Sequence, residues 1–421
     1  MPTSVTVSPR PPVRLSARAS AVLTARVLAP LIVQGPIVRR DPMVTAAQHL
    51  GWEAGAVRLL AELAERYDRR PLLVRVGPRR MLLPLHADDA RAVLADSPAP
   101  FTPASAEKRA ALRHFQPRAV LISDADDRPA LREWNEAALQ PGTLHQAAGR
   151  LIEVVTRDGA ELADRARRQG TLRWDQIDAA LWATVRELVL GPGGRSDAAL
   201  TDDLDRLRSR ANLAFLRPAD RRRRARFTRS LLDHLHAAPA DSLAGAGLLH
   251  GGSPALAATQ VPHWLFAYDA ARITLWRALA VLAARPDRQD TVRREAATQP
   301  AHRQQAAMDA IRDALHRWPT TLVILRDATA PTRWGGTDLP EGTGVALISA
   351  YLHRDQDVDL SFSAGPVICP GRDVVVDTMA PLLAAMVRDT RWSPVTHPEL
   401  TDDAGPVTLP HHRIVLAATG V

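Results

Sequence analysis

The chain has 421 residues, 46% of them hydrophobic, a formal charge of +8 and one cysteine. A single cysteine excludes an intramolecular disulfide framework, and the length allows either one large domain or about two or three ordinary ones. Lys108 is the only lysine, so nearly all the positive charge is arginine and reads as compositional bias. No zinc spacing, aromatic-basic RNA motif or recognition helix accompanies it, so no nucleic-acid partner is expected.

Residues 1–20 are rich in Pro, Ser and Arg, and 1–40 reads as a partly disordered tail before a domain over 41–421. The apolar stretch 21–38 is broken by Arg26 and Gln34 and carries Pro30 and Pro36. It makes a poor signal peptide and a poor membrane span, so a cytoplasmic protein with no membrane partner is expected. Helical spacing runs from Ala46 to Tyr67. A β-hairpin follows, with Pro71–Val76 and Arg80–Leu85 flanking Gly77-Pro78-Arg79. Asp88 to Leu94 reads as a short helix ended by Ser97-Pro98-Ala99-Pro100.

Asp127 to Leu139 is the next informative helix. Arg128 and Arg132 stand four apart and share a face, which by itself reads as an exposed basic face. Residues 142–250 read as several helices, broken at Gly191-Pro192-Gly193-Gly194. The run Arg221–Arg224 reads as a solvated face. Val261 to Ala284 is the longest apolar helical stretch, entered through Pro262 and followed by Pro286. It is apolar on all sides, so it should cross the core, where Asp269 needs a partner or a purpose. Met308 to Trp318 reads as a helix stopping before Pro319. Strands are expected over Thr320–Asp327 and Val345–Ala350, with a hairpin turn at Leu339–Gly344.

The chemistry concentrates in Phe362-Ser363-Ala364-Gly365-Pro366-Val367-Ile368-Cys369-Pro370-Gly371. Cys369 stands before an apolar helix, Val374 to Val387, which Pro381 should interrupt. A thiolate there could bind a soft metal or haem iron. Taken alone, a free cysteine is usually a small buried hydrophobe.

The spacing Phe362-x-x-Gly365-x-x-x-Cys369-x-Gly371 resembles the haem-thiolate loop of the cytochrome P-450 family. The order of elements over roughly residues 45–415 is similar to that family's as well. The resemblance implies a mainly α fold with a small β region, the P-450 fold, built as one large domain. It implies haem b (iron protoporphyrin IX) bound through Cys369, with Phe362, Gly365 and Gly371 shaping the loop. Arg132, Arg128 and Arg326 fall where the family binds the haem propionates, Arg128 replacing a histidine.

In the family the central helix carries Gly-x-Asp/Glu-Thr over the haem. Counting back from Pro286 aligns this with Ala267-Tyr268-Asp269-Ala270, which keeps the acid and loses the hydroxyl. A rival register ending at Thr274 loses the acid. Arg272, one turn from Asp269, could pair with it or hold a substrate carboxylate. Other departures are Asp313 and His316 where the family has Glu-x-x-Arg, Val367 in place of a basic residue, and only residues 356–361 between His353-Arg354-Asp355 and Phe362.

The activity implied is monooxygenation of a small apolar substrate, with electrons from NAD(P)H through a ferredoxin and ferredoxin reductase. Arg372 is placed to attract the acidic ferredoxin. The missing hydroxyl points alternatively to a peroxide-using or non-oxidative haem-thiolate enzyme. The altered pair and short connection point to a degenerate member that serves as a binding partner.

Overall fold

Leu23, Val27, Leu28 and Leu31 recur at helical spacing and are buried. They fold part of what composition reads as a tail. The structure, a computed structural model, describes residues 9–401 and 405–421. It is 60% helix and 11% strand, mainly α with small sheets as expected. In chain order the strands are β1 (Val13–Arg14), β2 (Leu72–Val76), β3 (Arg79–Leu83), β4 (Phe101–Thr102), β5 (Thr171–Arg173), β6 (Val323–Ala328), β7 (Thr332–Trp334), β8 (Thr337–Leu339), β9 (Gly344–Ile348), β10 (Thr390–Pro394) and β11 (Val415–Gly420). The chain groups into two units. One comprises residues up to Ala111 with Thr321–Cys369; the other comprises Leu112–Thr320 with Pro370–Val421.

The first unit is built on a six-stranded sheet of order β1-β2-β3-β9-β6-β4. The expected hairpin is β2 and β3, antiparallel, with Val76 opposite Arg79 and Gly77 in the left-handed region at φ 58°. β3 runs parallel to β9, Met81 opposite Gly344. β1 lies parallel to β2. The stretch Ala17–Gln34, helical with a π-turn at Thr24–Leu28, is long and apolar enough to cross a membrane, with mean hydropathy 1.2; 39% of it is buried.

Three local expectations are corrected here. The helix over 46–67 is two, Asp41–His49 and Trp52–Arg66, because Gly51 turns the chain at φ 61°. The two-residue hairpin turn is Gly335-Gly336 between β7 and β8, both at positive φ. Residues 340–343 do turn, the Thr343 N–H donating to the Pro340 carbonyl at 3.1 Å, but they lead into β9, which pairs with β6. β9 ends at Ile348, and a helix, Ser349–Gln356, follows.

The second unit is helical, with a three-stranded sheet of order β10-β11-β5. Its central helix, Pro254–Ala284, is capped by Ser253, whose hydroxyl accepts from the Leu256 N–H at 3.1 Å. It thus opens before Pro262, which lies inside it. The helix Arg372–Arg388 runs through Pro381 without a break. Burial of Met379, Leu382, Leu383 and Met386 outweighs the roughly 3 kcal/mol that an interior proline costs. It lies against the helix Ala148–Gln169, where a Cβ on Gly159 would sit 2.6 Å from the Leu382 carbonyl oxygen. Only glycine lets the backbones approach so closely.

Candidate functional site

The expected site residues fall in both units. In the first, residues 362–369 form a closed loop. The Cys369 N–H donates to the Phe362 carbonyl at 2.9 Å, and the Ile368 N–H to that of Gly365 at 3.1 Å. The Ser363 N–H donates to the Leu360 carbonyl at 2.9 Å, and Ser363 takes φ 63°. Gly365 is required twice over. Its φ is 68°, and a Cβ would lie 2.3 Å from the Leu94 carbonyl oxygen. The thiol of Cys369 is half-buried and in no disulfide.

Arg326, expected at a propionate, lies on β6 and is buried. Its Nε donates to the Ser97 hydroxyl and one terminal nitrogen to the Ser363 hydroxyl, each at 3.0 Å. Ser97 in turn donates to the Val93 carbonyl at 3.0 Å. The structure therefore brings Arg326, Phe362, Gly365 and Cys369 together. Sequence reasoning missed Ser97 and Ser363, the hydroxyls through which Arg326 braces the loop. Neither carries a local signal, because their role arises only when strands distant in sequence pair.

In the second unit Asp269 and Ala270 lie on the central helix. Asp269 accepts from both Arg208 and Arg272. The arginine side chains are 0% and 2% exposed and that of Asp269 19%. Burial alone pushes the Asp269 carboxyl up; the two guanidiniums more than reverse this and hold it at about 2. Arg272 also donates to Asp178 and stacks over Trp182, 3.9 Å from the ring centroid. Arg208 lies 4.8 Å from the Phe266 centroid and pairs with Asp205 at 2.8 Å. Burial pushes Asp205 up to about 6, with Arg208 opposing and Asp269 adding.

Asp269 is therefore an anion fixed between two arginines. Arg272 is turned to acids of its own unit rather than to a substrate carboxylate. Ala270 brings no hydroxyl, and Thr274, the rival, donates to the Ala270 carbonyl at 3.0 Å. Arg272 was legible as a partner because it is one turn away. Arg208, 61 residues from Asp269 in sequence, was not.

Arg128 and Arg132 share the helix Arg128–Leu139. Arg128 is buried and donates to the Ser123 carbonyl at 3.1 Å; Arg132 pairs with Glu136 at 2.6 Å. Gly371 caps the helix Arg372–Arg388. Asp313 is braced by arginine where the sequence pointed to His316: Arg288 and Arg317 each reach it at 2.8 Å. Burial raises the Asp313 pKa, but these two cations outweigh it and hold the carboxyl below its usual range. Arg372 pairs with Asp373 at 2.8 Å.

No family model matches this chain, and no curated protein matches it.

Proposed function

We propose that this chain is a haem-thiolate oxidoreductase with the cytochrome P-450 fold, holding haem b through the Cys369 thiolate. The observation that carries this reading is the Cys369 loop. Its backbone hydrogen bonds, its packing at Gly365 and its Arg326 brace fix the sulfur's position in advance. Cys369 is half-buried and in no disulfide. A soft thiolate donor suits haem iron, so the residues fit the group. Arg326, in the same unit as Cys369, would hold a propionate, as a forked and permanently charged donor. Bound haem supplies redox chemistry at iron, and a thiolate ligand favours O–O cleavage.

The activity proposed is monooxygenation of a small apolar substrate, with electrons from NAD(P)H through a ferredoxin and its reductase, in the cytoplasm. Asp269 favours a second reading. An acid held at about 2 between two arginines is a poor proton shuttle near neutral pH, and Ala270 has nothing to add. A peroxide-using or non-oxidative enzyme would not need that relay. A degenerate, haem-free binding partner is the third.

The test is the absorption spectrum of the reduced, carbon monoxide-bound protein beside Cys369→Ala. A Soret band at the red-shifted thiolate position, lost in the variant, is the expected result. No haem after expression with a haem precursor sinks the proposal. Given haem, turnover with ferredoxin, reductase and NADPH against turnover with peroxide separates the first two readings.

A further inference from the structure

A surface cleft of the second unit has no part in the proposed chemistry. It opens where the helix Pro286–Thr298 ends and the helix Gln305–Arg317 begins, and it encloses about 540 Å³. Small-molecule sites span roughly 300–1,000 Å³. The connection between the two helices is held by hydrogen bonds. The Gln299 N–H donates to the Glu295 carbonyl and the Arg303 N–H to the Pro300 carbonyl, each at 2.8 Å. Gln304 is buried, and its amide donates to the Gln299 and Pro300 carbonyls at 3.3 and 3.1 Å. The cleft is therefore preformed.

Its lining favours anions. Arg294, His302 and Arg303 line it and are exposed. Arg294 donates to the Asp290 carbonyl at 3.4 Å and to the Thr291 hydroxyl at 3.2 Å. Among the described residues neither Arg294 nor Arg303 pairs with an acid. Glu295 is the one acid in the lining, and its carboxylate accepts from the Ala306 N–H at 2.6 Å, in the first turn of the second helix. Asp290 and Asp309, next in sequence to the lining residues Thr291 and Met308, pair with Arg293 and Arg312.

We propose that this cleft binds a small phosphorylated polyol, of the size and chemistry of a sugar phosphate. The forks of Arg294 and Arg303 match phosphate oxygens, and the start of the helix Gln305–Arg317, which has no acidic side chain in its first turn, adds attraction for the anion. Thr298, Gln299 and Gln305 offer hydroxyl and amide groups to the hydroxyls of the ligand. The lining holds no Phe, Tyr or Trp, so a nucleobase has no large ring to stack on. Met308 is its one large apolar side chain, too little to hold an apolar ligand. Binding here is independent of haem at Cys369.

The experiment is isothermal titration calorimetry of the full-length protein with glucose 6-phosphate, glucose, inorganic phosphate and AMP. Glucose 6-phosphate is expected to bind at least about tenfold tighter than each of the other three. Arg294→Gln with Arg303→Gln should weaken it about tenfold or more. Arg221→Gln with Arg222→Gln, which removes two arginines outside the cleft, should leave the affinity unchanged. All four positions are exposed, so unchanged circular dichroism is expected and confirms folding. The proposal is overturned by no binding of glucose 6-phosphate, by equal affinity for inorganic phosphate, or by tighter binding of AMP. Retained affinity in the Arg294/Arg303 variant, or an equal loss in the Arg221/Arg222 variant, overturns it as well.

Discussion

The Cys369 loop and the Asp269 network hold their central residues by opposite means. The loop is positioned by backbone hydrogen bonds, one glycine and two serine hydroxyls around Arg326, and its sulfur is left half-buried. Asp269 is positioned by full charges, and both its oxygens are taken by arginine. The loop is fixed through its backbone; Asp269 is fixed through the side chain itself, whose charge is consumed in the pairing.

Four perturbations sharpen this contrast. Asp269→Asn leaves two buried arginines facing each other with no full counter-charge at that point, and should cost about 3–5 kcal/mol, read from urea unfolding. A variant as stable as the parent would mean that Asp269 is free to act and the contrast fails. Gly365→Ala forces a Cβ towards the Leu94 carbonyl at positive φ, and should cost about 2–4 kcal/mol. Gly77→Ala, at φ 58° with open space around it, should cost only about 1 kcal/mol. Equal losses at the two glycines would show that the loop's close packing is unimportant. Arg326→Gln, which removes the donors to the Ser97 and Ser363 hydroxyls, is expected to cost about 1–3 kcal/mol and to make the loop more open to hydrogen exchange.

The smallest effect is a pH dependence. Asp269, depressed to about 2, adds stability that is present above the usual carboxylate range and lost as pH falls through about 2. Asp205, raised to about 6, does the reverse: it weakens the fold above that value, and stability recovers as pH falls from about 6 towards 4. Asp205→Asn should flatten that recovery in thermal unfolding scans and leave the lower transition in place. A parent profile already flat between pH 4 and 6 would remove Asp205 from the account.

Local rules made much of this readable. The hairpin at Gly77, the helix holding Arg128 and Arg132, the central helix and the Gly365 bend follow from period, turn chemistry and spacing. The misses have a common cause. Pro262 and Pro381 read as helix limits because sequence shows the lost N–H and not the burial that outweighs it. Residues 13–34 read as part of a tail because residues 1–20 are rich in Pro, Ser and Arg and the apolar stretch after them is broken by Arg26, Pro30 and Gln34, whereas Leu23, Val27, Leu28 and Leu31 decide the packing. The partners of Asp269, Asp313 and Arg326 come largely from other elements, and no spacing rule reaches that far.

The sheet of the first unit has a consequence for how the chain is made. β3 finds its parallel neighbour only when residue 344 arrives opposite residue 81, and β4 waits for β6. All of residues 112–320 is synthesised in between. During that interval the Met81-Leu82 edge has no native partner and is a template for pairing with other chains. The yield of folded protein should therefore depend on synthesis speed and chaperone supply more than on the final stability of the sheet.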